Sequence, residues 1–152
     1  MATLKDQLRI DLTAAMKARD ETRTRAIRMA LTSISNAEVS GAAAHDLTDD
    51  ELTKILTREA KRRREAAAAF AGAGRDDQAA AELAEEEVLT AYLPAQLTDD
   101  ELAALVEAAI AETGASGPAG IGQVMKVVTP RVAGRAEGSR VAAMVKSRLT
   151  GQ

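Results

Sequence analysis

Phe70 and Tyr92 are the only aromatic residues in this 152-residue chain, which also lacks tryptophan and cysteine. A core cannot then be assembled from large rings or pinned by disulfides. It has to be built from Leu, Ile, Val, Met and many Ala. Alanine is the strongest helix former, and it lets helices approach closely while burying little area of its own. The expectation is an all-α protein with thin interhelical seams and modest stability. Without cysteine, thiol nucleophiles and thiolate metal sites are excluded.

Apolar residues recur at helical spacing along the chain. Leu4, Leu8, Leu12 and Met16 step by four along one face of a first helix ending near Arg19. Asp20 is placed to cap a second helix, with Ile27, Ala30, Leu31 and Ile34 facing inward as far as Ser40 and Gly41. Gly41 to Asp46 reads as a loop. Thr48-Asp-Asp-Glu51 is a capping box, in which the Thr hydroxyl takes a first-turn amide and the Glu reaches back. The third helix carries Leu52, Ile55, Leu56 and Phe70 and stops at Gly72-Ala-Gly74. Asp76 starts a fourth through Leu83, Val88, Leu89 and Tyr92, and Pro94 ends it by disfavouring α geometry in the residue before it.

Thr98-Asp-Asp-Glu101 is a second capping box, followed by the stripe Leu102, Leu105, Val106, Ala109 and Ile110 and by Gly114 as a C-cap. Gly117, Pro118, Gly120 and Gly122 place a turn, and Val124, Val127 and Val128 a short helix before Pro130. Gly134 to Gly138 is another turn, and Val141, Met144, Val145 and Leu149 form a final helix. The hexapeptide Leu-Thr-Asp-Asp-Glu-Leu occurs at both 47–52 and 97–102. Its flanks do not match beyond the helical pattern, so reuse of a good helix start explains it better than duplication. The reading is two helical subdomains: 1–93 with four longer helices, and 94–152 with three shorter ones.

Charge is distributed unevenly. Residues 119–152 hold Lys126, Arg131, Arg135, Arg140, Lys146 and Arg148 against one acid, Glu137. The stretch 76–118 before them holds eleven acids and no Lys or Arg, while the whole chain is only −3. A basic end on an acidic protein suggests a surface for a polyanion, with the acidic stretch repelling it and fixing its orientation; the alternative is a protein-interaction module whose acidic face meets a basic partner. Gly134 and Gly138 bracket Arg135 on a turn, and the helix that follows offers free amides to an anion. With no aromatic residue in 119–152, recognition would be of shape and backbone rather than by base stacking.

A second basic run, REAKRRRE at 58–65, places Arg58, Lys61 and Arg62 on one helical face. It reads either as a solvated face laced by pairs to Glu59 and Glu65 or as a phosphate contact. Catalytic residues are not indicated. His45 is the only histidine, in an Ala-rich loop without an apparent partner, and a general base needs one. Glu85, Glu86 and Glu87 are consecutive and fan around a helix, so they do not converge on a metal, and the acids at 49–51 and 99–101 suit helix starts. No cofactor or metal site is expected. No apolar run approaches the roughly 20 residues that span a bilayer. The start, MATLKDQLRIDL, lacks the apolar region of a signal peptide, so the expected location is cytoplasmic.

Several segments carry a resemblance. Ala91-Tyr-Leu-Pro-Ala-Gln-Leu97 resembles the Y-L-P-x-Q-L segment of the GatB/YqeY family. Gly122-Gln-Val-Met125, Gly134-Arg-Ala-Glu-Gly138 and Val141 to Leu149 resemble that family's C-terminal motifs, and Leu4 to Lys17, Asn36-Ala-Glu38 and Glu59 to Glu65 its helical beginning. The stand-alone YqeY-like proteins are the nearest in length. The resemblance implies two all-helical subdomains and kinship with the tRNA-binding tail of the B subunit of a glutamine-dependent tRNA amidotransferase. It further implies tRNA or another structured RNA as partner, with amidotransferase subunits or an aminoacyl-tRNA synthetase as protein partners. It links the chain to a carbon–nitrogen ligase without placing ligase chemistry in these residues. Glu137 stands where the family commonly has Asp, and its longer side chain is a poorer helix cap.

Overall fold

The computed structural model describes residues 3–41 and 45–151. Those residues form seven α-helices and one 3-10 turn, and the chain divides into two compact units, Met1–Leu93 and Pro94–Gln152.

In the first unit, α1 (Leu4–Lys17), α2 (Glu21–Val39), α3 (Asp49–Gly72) and α4 (Asp76–Thr90) surround Leu8, Ile27, Ile34, Leu52, Leu56 and Leu89. Ala26, Ala30 and Ala60 lie in the same seam, where a missing side chain lets helices close up. Thr3 and Asp6 form a capping box on α1, and the Asp20 carboxylate caps α2 by accepting the Arg23 amide at 3.0 Å. The expected loop at 41–46 is described only at Gly41, His45 and Asp46; residues 42–44 lie outside the described residues.

Two apolar positions assigned to the core are exposed. Met16 is 49% exposed and Leu83 is 49% exposed. Steps of four advance about 40° around a helix, so by Met16 the series that began at Leu4 has rotated off the buried face. Ala15 is buried there instead. On α4 the inward face is taken by Ala79, Glu85 and Leu89.

Glu85 belongs to a charged cluster inside this unit. Glu59 and Glu85 are each 5% exposed. The Arg63 guanidinium lies between them, 3.6 Å from Glu59, 3.5 Å from Glu85 and 3.8 Å from Glu82. Ser33 donates to Glu59 at 2.9 Å, and Arg25 reaches Glu85 at 3.6 Å. Burial pushes the Glu85 carboxyl upward, opposed by Arg63 and Arg25 and reinforced by Glu82. Tyr92, just past α4, donates its hydroxyl to Asp11 of α1 at 2.5 Å. Burial, and then that bond to a carboxylate, push its phenol up to about 12.

The second unit comprises α5 (Asp99–Thr113), the 3-10 turn Pro118–Gly120, α6 (Ile121–Val132) and α7 (Gly138–Thr150). Its core is Leu97, Leu102, Val106, Val124, Val128, Val132, Val141 and Val145, all aliphatic. Gly120 is required by a close approach, since a Cβ there would stand 2.7 Å from the Ala115 Cβ. α6 does not stop before Pro130 but continues through it to Val132. Only the last turn is affected, where proline has no amide to donate to the carbonyl of Lys126. Both copies of Leu-Thr-Asp-Asp-Glu-Leu form full capping boxes, and Leu52 and Leu102 are the first buried residues of the helices they start.

Candidate nucleic-acid interface

The basic residues of the second unit are carried by α6, the turn after it and α7. α6 ends through Ala133 and Gly134, both left-handed at φ 50° and 78°. Gly134 therefore answers a backbone demand. Gly138 does not: its φ is not positive, and a Cβ there would meet nothing. Glu137 occupies the N-cap of α7 without a side-chain capping bond, in keeping with its extra methylene.

Four of the six cations are held by acids or backbone of the same unit. Arg131 donates to Glu112 of α5 at 2.5 Å. Arg140 donates to Asp99 at 2.7 Å, and Arg148 lies 2.9 Å from Glu107. Arg135 works as a clasp: its Nε donates to the Ala95 carbonyl at 2.9 Å, and its own carbonyl accepts the Leu97 amide at 2.8 Å. Its Nη2 is 3.9 Å from Glu101. Lys126 and Lys146 are exposed and have no ion-pair partner among the described residues.

This arrangement corrects the reading of a basic end set apart from an acidic stretch. Helix packing lays the acids of α5 beside the arginines that follow them. The unit Pro94–Gln152 holds six acids and six basic residues, so its net charge is zero. Among the described residues, seven of the eleven acids of 76–118 have an arginine partner within their own unit. Asp99, Glu101, Glu107 and Glu112 on α5 pair within their own unit, and Glu82, Glu85 and Glu86 on α4 pair with arginines of α2 and α3. Arg135, on the glycine turn of the expected polyanion surface, spends its Nε on the Ala95 carbonyl. Lys126 and Lys146 are the cations left available.

The other basic run behaves as a pair-laced face at two of its three positions. Lys61 is 3.9 Å from Glu65 and Arg62 is 3.1 Å from Glu59. Arg58 lines an open 290 Å³ pocket with Ser33, Asn36 and Glu59. Arg63, in the middle of the run, turns inward, its side chain 11% exposed. His45 has a neighbour after all, with Nε2 3.8 Å from the carboxylate of Glu51. That carboxylate is held below the usual range first by the Thr48 amide, its capping partner. No group of three or more His, Asp or Glu is arranged to hold a metal ion among the described residues.

The fold and this surface define a class: small, all-helical, two-unit proteins with a cation-bearing α6–turn–α7 segment. The profile of the Yqey-like protein family matches residues 5–149, and the chain belongs to that family. A curated relative is altered inheritance of mitochondria protein 41, mitochondrial, of Clavispora lusitaniae (strain ATCC 42720), 36% identical over 90 residues. The match covers 59% of this chain and 51% of the relative, so the chain spans about half the length of the curated relative it matches. No helix among the described residues is long and apolar enough to cross a membrane.

Proposed function

We propose that this protein is a binding helper for structured RNA, tRNA foremost, acting without chemistry of its own and touching the phosphate backbone through α6, the turn and α7. The observation that carries the reading is the pair Lys126 and Lys146, exposed and without ion partners among the described residues, on short, well-packed helices. Arg131, Arg140 and Arg148 add to them. Their pairs are solvent-exposed, and such pairs contribute only about 0–1 kcal/mol, so a phosphate can displace the carboxylate at little cost. A neutral unit gives no long-range steering, so binding is modest and strongly salt-dependent.

A gel-shift titration of folded tRNA across a salt series tests this. Lys126→Ala with Lys146→Ala is expected to weaken binding and to reduce the salt slope by about one for each phosphate that is no longer neutralised. Arg131→Ala, Arg140→Ala and Arg148→Ala together are expected to weaken it further. Equal, weak binding by wild type and both variants would sink the reading. Association with a carbon–nitrogen ligase is an extension of the same idea: the helper would deliver tRNA to an amidotransferase, read as stimulated Gln-tRNA or Asn-tRNA formation in a reconstituted reaction.

A further inference from the structure

We propose that the α1–α2 end of the first unit is a docking groove for an acidic amphipathic helix of a partner protein. An open groove of 780 Å³ lies there, lined by Met16, Arg19, Glu21, Arg25, Arg28 and Met29. Met16 is 49% and Met29 41% exposed, so the floor is made of two thioether side chains that face water. Methionine adapts its shape to an apolar partner and is over-used on surfaces that receive helices. Three arginines against one acid make the rim positive.

The groove is braced from beneath. Met29 Sδ lies 3.2 Å from the inward-facing Arg63 guanidinium, and Arg28 Nη2 lies 3.6 Å from Met16 Sδ. Arg25 is fixed by Glu85 at 3.6 Å. A second observation points to the same place. Arg19, in the tight link between α1 and α2, has φ 56°. Glycine takes that conformation without strain, whereas a β-carbon makes it unfavourable. The chain keeps a long cationic side chain where the backbone would be better served by none, which is how strain is commonly held at binding sites.

The occupant follows from the lining. A phosphate backbone would use the arginines but has no need of a thioether floor, and the groove has no aromatic residue on which a base could stack. A helix with a leucine stripe flanked by glutamates uses both, apolar side chains on the methionines and carboxylates on Arg19, Arg25 and Arg28. This site is in the first unit and is independent of the RNA surface proposed above.

The probe is a fluorescein-labelled peptide of about 15 residues with leucines at i, i+3, i+4 and i+7 and glutamates beside them, with a lysine-for-glutamate version as control. Fluorescence anisotropy with the full chain is expected to show binding of the glutamate peptide only. Arg19→Gly is expected to weaken it about tenfold while leaving the melting temperature unchanged or higher, because the substitution relieves the left-handed backbone. Arg28→Glu is expected to weaken it at least as much. Equal binding of the lysine peptide, or unchanged affinity in Arg19→Gly, overturns the proposal. So does a loss of tRNA affinity in Arg19→Gly without peptide binding by wild type, which would make the groove an RNA surface. Concentration-dependent self-association of wild type that Arg19→Gly abolishes overturns it too, because the occupant would then be a second copy.

Discussion

The two units treat charge in opposite ways. The first draws Arg63, Glu59 and Glu85 into its interior, where Arg63 faces three carboxylates and its Nε has no hydrogen-bond partner. The second keeps its interior aliphatic and its ion pairs, such as Arg131 with Glu112 and Arg148 with Glu107, at the rim. The same residue types in similar helices therefore carry different energies. A buried ion is costly unless fully compensated, and removing one partner strands the other. A rim pair loses its partner to water at almost no cost.

Breaking the buried cluster should have the largest effect. Arg63→Met leaves Glu59 and Glu85 buried without their shared cation and is expected to cost about 3–5 kcal/mol in urea unfolding. Arg131→Met is expected to cost under about 1 kcal/mol by the same measurement. Near-equal losses in the two variants would erase the distinction. Core truncations come next and should not distinguish the units, because Leu56 and Leu102 are both fully buried. Leu56→Ala and Leu102→Ala are each expected to cost about 2–5 kcal/mol.

The repeated helix starts provide a smaller and closer comparison. Thr48→Ala and Thr98→Ala remove the same hydroxyl from the same capping box and are each expected to cost about 1 kcal/mol, measured by thermal unfolding.

Acid sharpens the contrast with the smallest effects. Glu101 is held below the ordinary glutamate value, first by the Thr98 amide, so its contribution is present above the unfolded value and is lost as pH falls through the folded one. Glu85 is raised, chiefly by burial, so the folded state holds its proton more tightly. Its contribution is present at low pH and is lost as pH rises through the folded value. Glu85→Gln removes that relief and should therefore lose stability more steeply than wild type as pH falls toward the ordinary glutamate value, read as urea midpoints. At the alkaline end, the single Tyr92 gives a clean signal. Its phenolate absorbance is expected to titrate at about 12 in the folded protein. Tyr92→Phe should abolish the absorbance change.

Much of the fold was legible in local sequence. Both Leu-Thr-Asp-Asp-Glu-Leu boxes, the Asp20 cap and the Gly114 stop are short-range chemistry, settled by residues within one turn of each other. The stripe on α5 told which residues would turn inward, since Leu102, Val106 and Ala109 are buried and Leu105 and Ile110 partly so. Met16 leaves its stripe because steps of four drift around the helix, and Leu83 escapes because the pattern along one helix does not say what the neighbouring helix presents. On α4 that neighbour presents Arg63, and glutamates answer it.

The candidate RNA surface shows the same division. Sequence alone set which cations follow the acidic stretch and that they lie on short helices around a glycine turn. Only the tertiary structure decided that Arg131, Arg140 and Arg148 face acids of α5, that Arg135 clasps the chain at Ala95, and that Lys126 and Lys146 stay available. It alone brought Met16, Arg19, Arg28 and Met29 to one groove. Helix starts and stops depend on hydrogen bonds between residues a few positions apart, so the sequence contains them outright. Charge pairing and grooves depend on which helix faces touch across distances the chain does not encode locally, so they emerge only when the helices pack.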